Sequence, residues 1–300
     1  MKASLVLAGP QTRAVAALAA AGVAWGTSVP LSKAALVWLP PAWLVVVRFA
    51  IAAAVLLAVV DRSALRAALR WPVLAWGAVG LGGSVLVQNV GIDRTSVTHA
   101  SLLIGTGPIL VAVIAAAWHH NVARPVAWVG FAASLAGVAV VAGGHGGGAT
   151  SVGDTIVFGS ALLSAAMTVA QGRLLDGQDP VAITAVMFLG AALAALPVAV
   201  ATAGAPPAPP SVLSVVAVAG LTAVGTLGAF TLFAYGQRRV STEVAGAFLN
   251  LEPLVGALAG VVAFGDPAGP RLLIGAATIL GGIAMSSLPA LRVRRLATAG

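Results

Sequence analysis

The 300-residue chain is 60% hydrophobic and only 8% charged, whereas about a quarter of the residues of a soluble domain are charged. A soluble fold would lack the charged coat that its exposed surface needs, so the composition predicts a membrane protein. The net charge of +8 then indicates cytoplasmic loops rather than nucleic-acid binding, and the lack of cysteine excludes disulfides, thiolate metal sites and cysteine nucleophiles.

Ten apolar runs follow one another along the chain, separated by proline, glycine or charge. Each is close to the length of about 20 residues that a helix needs to cross the hydrocarbon of a bilayer. The runs are apolar all round, which predicts helices and not the alternating strands of a barrel. We number them as spans one to ten: residues 14–36, 42–60, 71–91, 97–118, 126–143, 153–171, 181–202, 211–236, 244–264 and 271–288.

The basic residues predict the orientation. Twelve of the 16 Lys and Arg residues fall in segments on the same side as the N-terminus, while only Arg94 and Arg271 fall in loops of the opposite side. Because basic loops stay in the cytoplasm, both termini are expected to be cytoplasmic, in the inner membrane of a cell. The first run is longer than the h-region of about 7–15 residues in a signal peptide, so we expect it to remain as a span.

An internal repeat relates the two halves of the chain. The stretch that begins at Ala100 aligns with the stretch that begins at Ala245 at an offset of 145, which superposes Pro108 on Pro253, Gly130 on Gly275 and Gly137 on Gly282. Pro41 and the residues after it align with Pro180 at an offset of 139. The predicted units are residues 1–146 and 147–300. Each holds five spans, an odd number, so the second is inverted in the membrane, an arrangement typical of alternating-access transporters.

Several of these stretches resemble the EamA domain of the drug/metabolite transporter superfamily. They are "AWGTSVPLSKAAL" from Ala24, "TSVTHASLLIGTGPIL" from Thr95 and "RRVSTEVAGAFLNLEPLVGALAG" from Arg238. The resemblance covers nearly the whole chain and implies a ten-helix exporter of small metabolites, most similar to amino-acid exporters that include the aromatic (YddG-like) group. The family usually carries a "GE" pair after the fourth span of each repeat; Asn121 and Asp266 stand there instead.

Three ionisable residues fall well inside predicted spans: Lys33, Arg48 and Glu252. Such groups cost at least about 2.5 kcal/mol each in hydrocarbon and so invite a functional interpretation. Lys33 and Arg48 are candidates to bind a substrate carboxylate, and Glu252 is a candidate to bind an ammonium or carry a proton. The alternatives are that the two cations extend to the interface as anchors, and that Glu252 is a packing residue paired with Arg48 or a backbone amide.

Polar uncharged residues and one tryptophan mark further candidate walls of a central cavity. Trp25 is expected at mid-membrane, where its ring would gate the cavity or stack on a substrate, and His99 is expected near the outer surface, in contact with solvent. The alternative for the polar residues is hydrogen bonding between helices without substrate contact. The remaining candidates are Gln88, Asn89, Thr106, Ser164, Thr168, Gln171 and Tyr235.

Prolines inside spans predict kinks at Pro30, Pro108, Pro197 and Pro253, because a proline removes one hydrogen bond of the helix. Pro30, Pro108 and Pro253 are the candidate gating hinges. Pairs of glycines four residues apart predict close helix packing inside one bundle, which favours a monomer over a dimer. We expect the first, third, fourth, sixth, eighth and ninth spans to line the cavity.

Known catalytic and nucleotide-binding motifs do not occur in the sequence: it has no phosphate-binding loop, no HExxH and no dinucleotide fingerprint. We therefore expect no enzyme, no cofactor, no metal and no nucleic-acid partner. The expected function is export of a small molecule, an amino acid by the resemblance, through a lipid bilayer. The alternatives are an uncoupled uniporter or channel, and an exporter of another metabolite or a cationic drug.

Overall fold

The computed structural model describes residues 10–119, 125–142, 148–175, 177–237, 248 and 251–297. Six helices in these ranges are long and apolar enough to cross a membrane: Thr12–Ala35, Pro41–Val59, Trp71–Asp93, Ser151–Ala170, Pro180–Ala203 and Val212–Phe233. Four shorter apolar helices accompany them: Val97–Val111, Trp128–Val141, Leu251–Phe264 and Pro270–Gly282. The prediction of a helical membrane protein is confirmed.

Several membrane spans consist of two or more helical segments, so the structure has more helices than spans. Two segments are π-helical, Trp76–Gly83 and Leu221–Gly228. The helices are α1 (Pro10–Gly26), α2 (Ser28–Ala35), α3 (Pro41–Val59), α4 (Arg62–Ala68), α5 (Trp71–Ala75), α6 (Ser84–Asp93), α7 (Val97–Ile104), α8 (Gly107–His119), α9 (Pro125–Ala142), α10 (Ser151–Leu175), α11 (Pro180–Ala203), α12 (Val212–Gly220), α13 (Ala229–Gln237), α14 (Leu251–Phe264) and α15 (Pro270–Ala297).

Two of the prolines predicted as hinges follow breaks in their helices. Helix α1 ends at Gly26, four residues before Pro30, and α7 ends at Ile104, four residues before Pro108. This spacing has a direct cause, because a proline cannot donate to the carbonyl four residues earlier and its ring clashes with that carbonyl. Pro197 shows that the effect depends on context, since α11 continues through it.

Pro253 lies in the first turn of α14 and is buried. It packs against Gly105, where a side-chain carbon would collide with the proline ring. Gly105 itself lies in the turn between α7 and α8. The interruption in the fourth span and the beginning of α14 therefore touch each other.

The π-helical segments recur at the spacing of the sequence repeat. Both ends of Leu221–Gly228 lie 145 residues beyond the corresponding ends of Trp76–Gly83. The start of α15 lies the same 145 residues beyond the start of α9. The alignment read from glycines and prolines thus extends to the bounds of the structural elements.

Helices α9 and α15 pack tightly through aligned glycines. A side-chain carbon on Gly137 would lie only 2.8 Å from the carbonyl oxygen of Gly275, and one on Gly282 would collide with the carbonyl of Gly130. The order of the contacts reverses along the two helices, so they run antiparallel. Ser134 fastens this interface by donating its hydroxyl to the carbonyl of Ile279 at 2.9 Å.

A second contact between equivalent residues lies at the centre of the bundle, where α3 packs on α11. Phe49 and Phe188 occupy equivalent positions at the offset of 139, and their ring centroids lie 5.1 Å apart. Both rings are almost completely buried in the largest apolar core. At one end of the same region, Trp38 and Trp43 donate their indole N–H groups to the carbonyls of Pro207 and Gly204.

Candidate functional site

Arg48 is buried at the centre of α3, and only 7% of it is exposed. Its Nε donates to the hydroxyl of Thr226 at 2.5 Å, and its guanidinium carbon lies 5.2 Å from the ring centroid of Phe49. Thr226 is fully buried and donates its own hydroxyl to the carbonyl of Leu221 at 3.1 Å. Among the described residues, the two terminal amino groups of Arg48 have no hydrogen-bond acceptor.

Glu252 lies in the first turn of α14 and is half-buried. It is near enough to Arg48 for the two charges to act on each other, yet no salt bridge joins these two described residues. Its carboxylate has no hydrogen-bond donor within the part of the chain that the structure describes. Arg48 and Glu252 thus act on each other across the interior without forming a salt bridge.

Aromatic contacts link Trp25 through Phe230 and Phe188 to Phe49, whose ring lies beside Arg48. Trp25 meets Phe230 edge to face at 5.2 Å and Phe233 at 5.1 Å between ring centroids, and Phe230 meets Phe188 at 5.5 Å. The residue after Trp25 is Gly26, where a side-chain carbon would lie 2.9 Å from the carbonyl oxygen of Glu252. The missing side chain lets the tryptophan-bearing helix approach the helix of Glu252.

We call Arg48, Thr226 and Glu252, with the neighbouring Trp25 and Phe233, the charged site. It draws on spans one, two, eight and nine, so Arg48 brings in span two, which was not among the spans expected to line the cavity. Thr226 was missed, because a threonine in an apolar run carries no signal until its partner, 178 residues away in sequence, is known.

Lys33 lies apart from the charged site and caps a helix end. Its ammonium donates to the carbonyl oxygens of Ile92, Asp93 and Thr95 at 2.8, 2.9 and 2.9 Å. These carbonyls lie at or just beyond the C-terminus of α6, where the last carbonyl groups of a helix have no N–H partner within the helix. All three hydrogens of Lys33 are engaged, which leaves it out of the site proposed below.

His99 is buried, with 8% of it exposed, so the expectation of contact with solvent is wrong. Its Nδ1 lies 2.8 Å from a carboxylate oxygen of Asp154, and the other oxygen accepts from the hydroxyl of Thr95 at 2.5 Å. Asp154 is only 2% exposed. The sequence alone does not single out this acid, because Asp154 lies in the first turn of α10, at the predicted beginning of its span.

Asp266, which replaces the glutamate of the family's "GE" pair, also has a structural partner. One of its carboxylate oxygens accepts from the backbone N–H of Thr98 at 2.8 Å, at the beginning of α7. It follows Gly265, whose φ of +69° favours glycine. Asn121, at the equivalent place in the first half, lies outside the described residues.

Two of the other predicted site residues bond to carbonyls close to them in the sequence. Thr106 is buried and bonds to Leu103 of its own helix turn, and Thr168 is exposed and bonds to Ser164 one turn earlier. Gln88 is half-buried and Tyr235 is 39% exposed. The side chains of Pro108 and Gln171 lie outside what the structure describes.

Asn89 and Ser28 have buried oxygen atoms without partners in the described part of the chain. The amide nitrogen of Asn89 makes a long hydrogen bond of 3.4 Å to the carbonyl of Pro41, while no described residue donates to its Oδ1. The hydroxyl oxygen of Ser28 is likewise without a partner among the described residues, and it lies against Gly225, the neighbour of Thr226. Native proteins leave few buried polar groups unsatisfied, so these atoms point to unfilled hydrogen-bonding capacity.

The class that this fold and site define is a polytopic helical membrane protein with a polar site in its interior. The model of the EamA-like transporter family matches residues 12–143 and again residues 151–288. The chain therefore belongs to the EamA-like transporter family, which confirms the resemblance found in the sequence at the level of the family.

Similar proteins agree with this assignment. The chain is 30% identical over 164 residues to the "Uncharacterized transporter YvbV" of Bacillus subtilis (strain 168). That match takes in 53% of the chain and 54% of the relative, so the chain spans about half the length of the curated relative it matches. A solved crystal structure has the same fold, with a TM-score of 0.69 and 25% identity over 93% of this chain and 98% of the other.

Proposed function

We propose that this transporter exports amino acids by holding the zwitterion between Arg48 and Glu252. The observation that carries the proposal is the pair of opposite charges that are near each other without a salt bridge. A charge in hydrocarbon costs at least about 2.5 kcal/mol on insertion scales, so two incompletely paired charges need a purpose. A zwitterion supplies a carboxylate for the cation and an ammonium for the anion.

The chemistry of each group fits its half of an amino acid. A guanidinium matches a carboxylate with two parallel hydrogen bonds, and the free terminal amino groups of Arg48 provide this fork. The carboxylate of Glu252 accepts hydrogen bonds from an ammonium. An ammonium is also attracted to the face of an aromatic ring, which Trp25 offers beside the same helix.

The aromatic border favours a substrate with an apolar or aromatic side chain. The ring of Trp25 contacts those of Phe230 and Phe233, and the contacts continue through Phe188 to Phe49 beside Arg48. A mostly apolar pocket with a few placed polar groups is typical of small-molecule sites. A sugar phosphate, by contrast, calls for several Lys or Arg residues around one anion, and Lys33 is engaged at a helix end.

The architecture we infer is ten spans in two inverted repeats of five, residues 1–146 and 147–300, working by alternating access. Six long and four shorter apolar helices support ten spans. The recurring offset of 145 and the antiparallel packing of α9 on α15 support the inversion. Two such halves can rock about a site between them and open it to either side in turn. Basic loops on the side of the N-terminus support cytoplasmic termini in a bacterial or archaeal inner membrane.

The test is transport by purified protein in proteoliposomes. A panel of radiolabelled amino acids is offered with and without an imposed pH gradient. We expect saturable uptake of apolar and aromatic amino acids; accumulation driven by the gradient indicates proton coupling, and equilibration alone indicates a uniporter. Failure of every amino acid to move would refute the proposal and direct attention to other metabolites and cationic drugs.

Variants connect the activity to the charged site. Arg48→Met and Glu252→Gln each remove one charge-assisted contact, so uptake is expected to fall at least about tenfold. Arg62→Gln and Asp93→Asn make the same changes of charge at exposed positions and serve as matched controls. Full activity of both interior variants would show that the zwitterion binds elsewhere.

A further inference from the structure

We propose that Thr226 is a positioning residue that orients Arg48 so that its two terminal amino groups meet the substrate carboxylate together. This inference rests on the proposed function and adds a residue that determines recognition of the carboxylate. Buried Arg48 makes one hydrogen bond to the described residues, which its Nε donates to the hydroxyl of Thr226. The packing of the helices does not require this bond.

The bond to Nε decides which edge of the guanidinium remains free. An arginine has five N–H donors in one plane, one on Nε and four on the terminal nitrogens. Thr226 engages the Nε donor at 2.5 Å, which blocks the side edge and leaves the end with its two parallel N–H groups. That end is the edge able to hold both oxygens of a carboxylate.

The direction of the Thr226 hydroxyl is also fixed. It donates its proton to the carbonyl of Leu221, five residues earlier, across a turn of the π-helical segment. Thr222 and Thr231, by contrast, bond to carbonyls four residues earlier. Since the Thr226 proton is already engaged, a lone pair of its oxygen faces Arg48. The wider turn therefore presents an acceptor, and not a donor, to the cation.

The other half of the molecule shows that the fold does not require this polar pair. At the sequence offsets of the repeat, the residues equivalent to Arg48 and Thr226 are Met187 and Leu81. Both belong to the same apolar core, and neither is more than 8% exposed. The same π-helical segment forms in each half, with threonine at this place in only one of them. The polar pair is thus an addition to a fold that accepts an apolar pair.

The repeat also supplies a control variant. The double variant Arg48→Met with Thr226→Leu places the apolar residue types of one half at the equivalent positions of the other. Replacing a buried polar pair by apolar residues of similar volume is often neutral for stability. We expect this double variant to insert, fold and remain monodisperse in detergent while losing the binding of amino acids. It separates loss of recognition from loss of structure.

The decisive measurement compares two ligands that differ only at the carboxylate. Binding of phenylalanine and of phenylalaninamide to purified protein is measured by titration calorimetry. The wild type is expected to prefer phenylalanine. Thr226→Val keeps the shape of threonine but removes the acceptor, so the preference is expected to fall about tenfold while the affinity for the amide stays unchanged. Thr226→Ser keeps the hydroxyl and is expected to restore the preference.

The outcomes separate this inference from the proposed function. If the wild type does not prefer phenylalanine, or if Arg48→Met keeps the full preference, the proposed function fails and this inference fails with it. If the preference needs Arg48 but survives in Thr226→Val, only the role of Thr226 is overturned. An equal loss of affinity for both ligands in Thr226→Val would assign the threonine a structural role and overturn the inference too.

Discussion

Two groups of buried polar residues differ in how fully their hydrogen bonds are satisfied. Thr95, His99 and Asp154, which we call the Asp154 cluster, use both oxygens of the carboxylate within the protein. In the charged site, the ends of Arg48 and Glu252 have no hydrogen-bond partner among the described residues. Saturated polar groups hold helices together, whereas buried groups left open carry a desolvation cost that a ligand can relieve. This difference supports a structural role for the first group and the proposed binding role for the second.

The largest expected effect is loss of stability on breaking the Asp154 cluster. Asp154→Leu leaves the Thr95 hydroxyl and the His99 ring buried without their acceptor, which is expected to cost about 3 kcal/mol. The free energy of unfolding is measured in mixed micelles by loss of helical content. Transport per folded molecule is expected to stay near that of the wild type, because no hydrogen bond between described residues connects the cluster to the charged site. Asp93→Asn removes an exposed carboxylate and is expected to change neither quantity.

The Asp154 cluster also shows where sequence reasoning stops. The breaks before Pro30 and Pro108 are predictable, because they follow from the missing donor of one residue. The burial of Asp154 is not, since it depends on how α10 packs against α6 and α7. A carboxylate near the predicted end of a span is expected to reach water, and only tertiary packing shows that it does not.

The charged site likewise has features that the sequence predicts and features that it does not. Arg48 and Glu252 were predicted because an ionisable residue within an apolar run stands out in the sequence alone. The π-helical segments and the role of Thr226 were not predictable, because the first is a feature of packing and the second a relation between distant residues. Lys33 stood out equally well in the sequence, yet its three carbonyl partners belong to another span. A rare residue type identifies a candidate, and its partners decide the role.

A smaller effect on stability, of opposite sign, is expected at Asn89, whose buried Oδ1 has no hydrogen-bond donor among the described residues. Asn89→Leu removes an Oδ1 that has no donor at the cost of one long hydrogen bond, so stability is expected to rise by up to about 1 kcal/mol. Uptake of amino acids is expected to fall if Asn89 faces the substrate, as the sequence analysis predicts. The pattern of higher stability with lower transport is the reverse of that for Asp154→Leu. A loss of stability of Asn89→Leu comparable to that of Asp154→Leu would remove the distinction between the two groups.

The smallest expected effect lies outside the membrane, at the N-terminus of α4, where an exposed carboxylate accepts two hydrogen bonds at one of its oxygens. The hydroxyl and the backbone N–H of Ser63 both donate to Asp61 at 2.7 Å and lower the pKa of the Asp61 carboxyl below its ordinary value of 3.8. Because the folded pKa is lowered, the cap stabilises α4 above the ordinary value, and this stabilisation is lost as the pH falls through the lowered one. Carbon-13 NMR of the carboxyl group reports this titration directly, and Ser63→Ala, which removes the larger of the two contributions, is expected to move the pKa back toward 3.8. A carboxyl that titrates at its ordinary value in both proteins would show that the hydrogen bonds of this exposed cap do not stabilise the helix. Hydrogen bonds to a carboxylate would then stabilise the fold only where water is excluded, as in the Asp154 cluster.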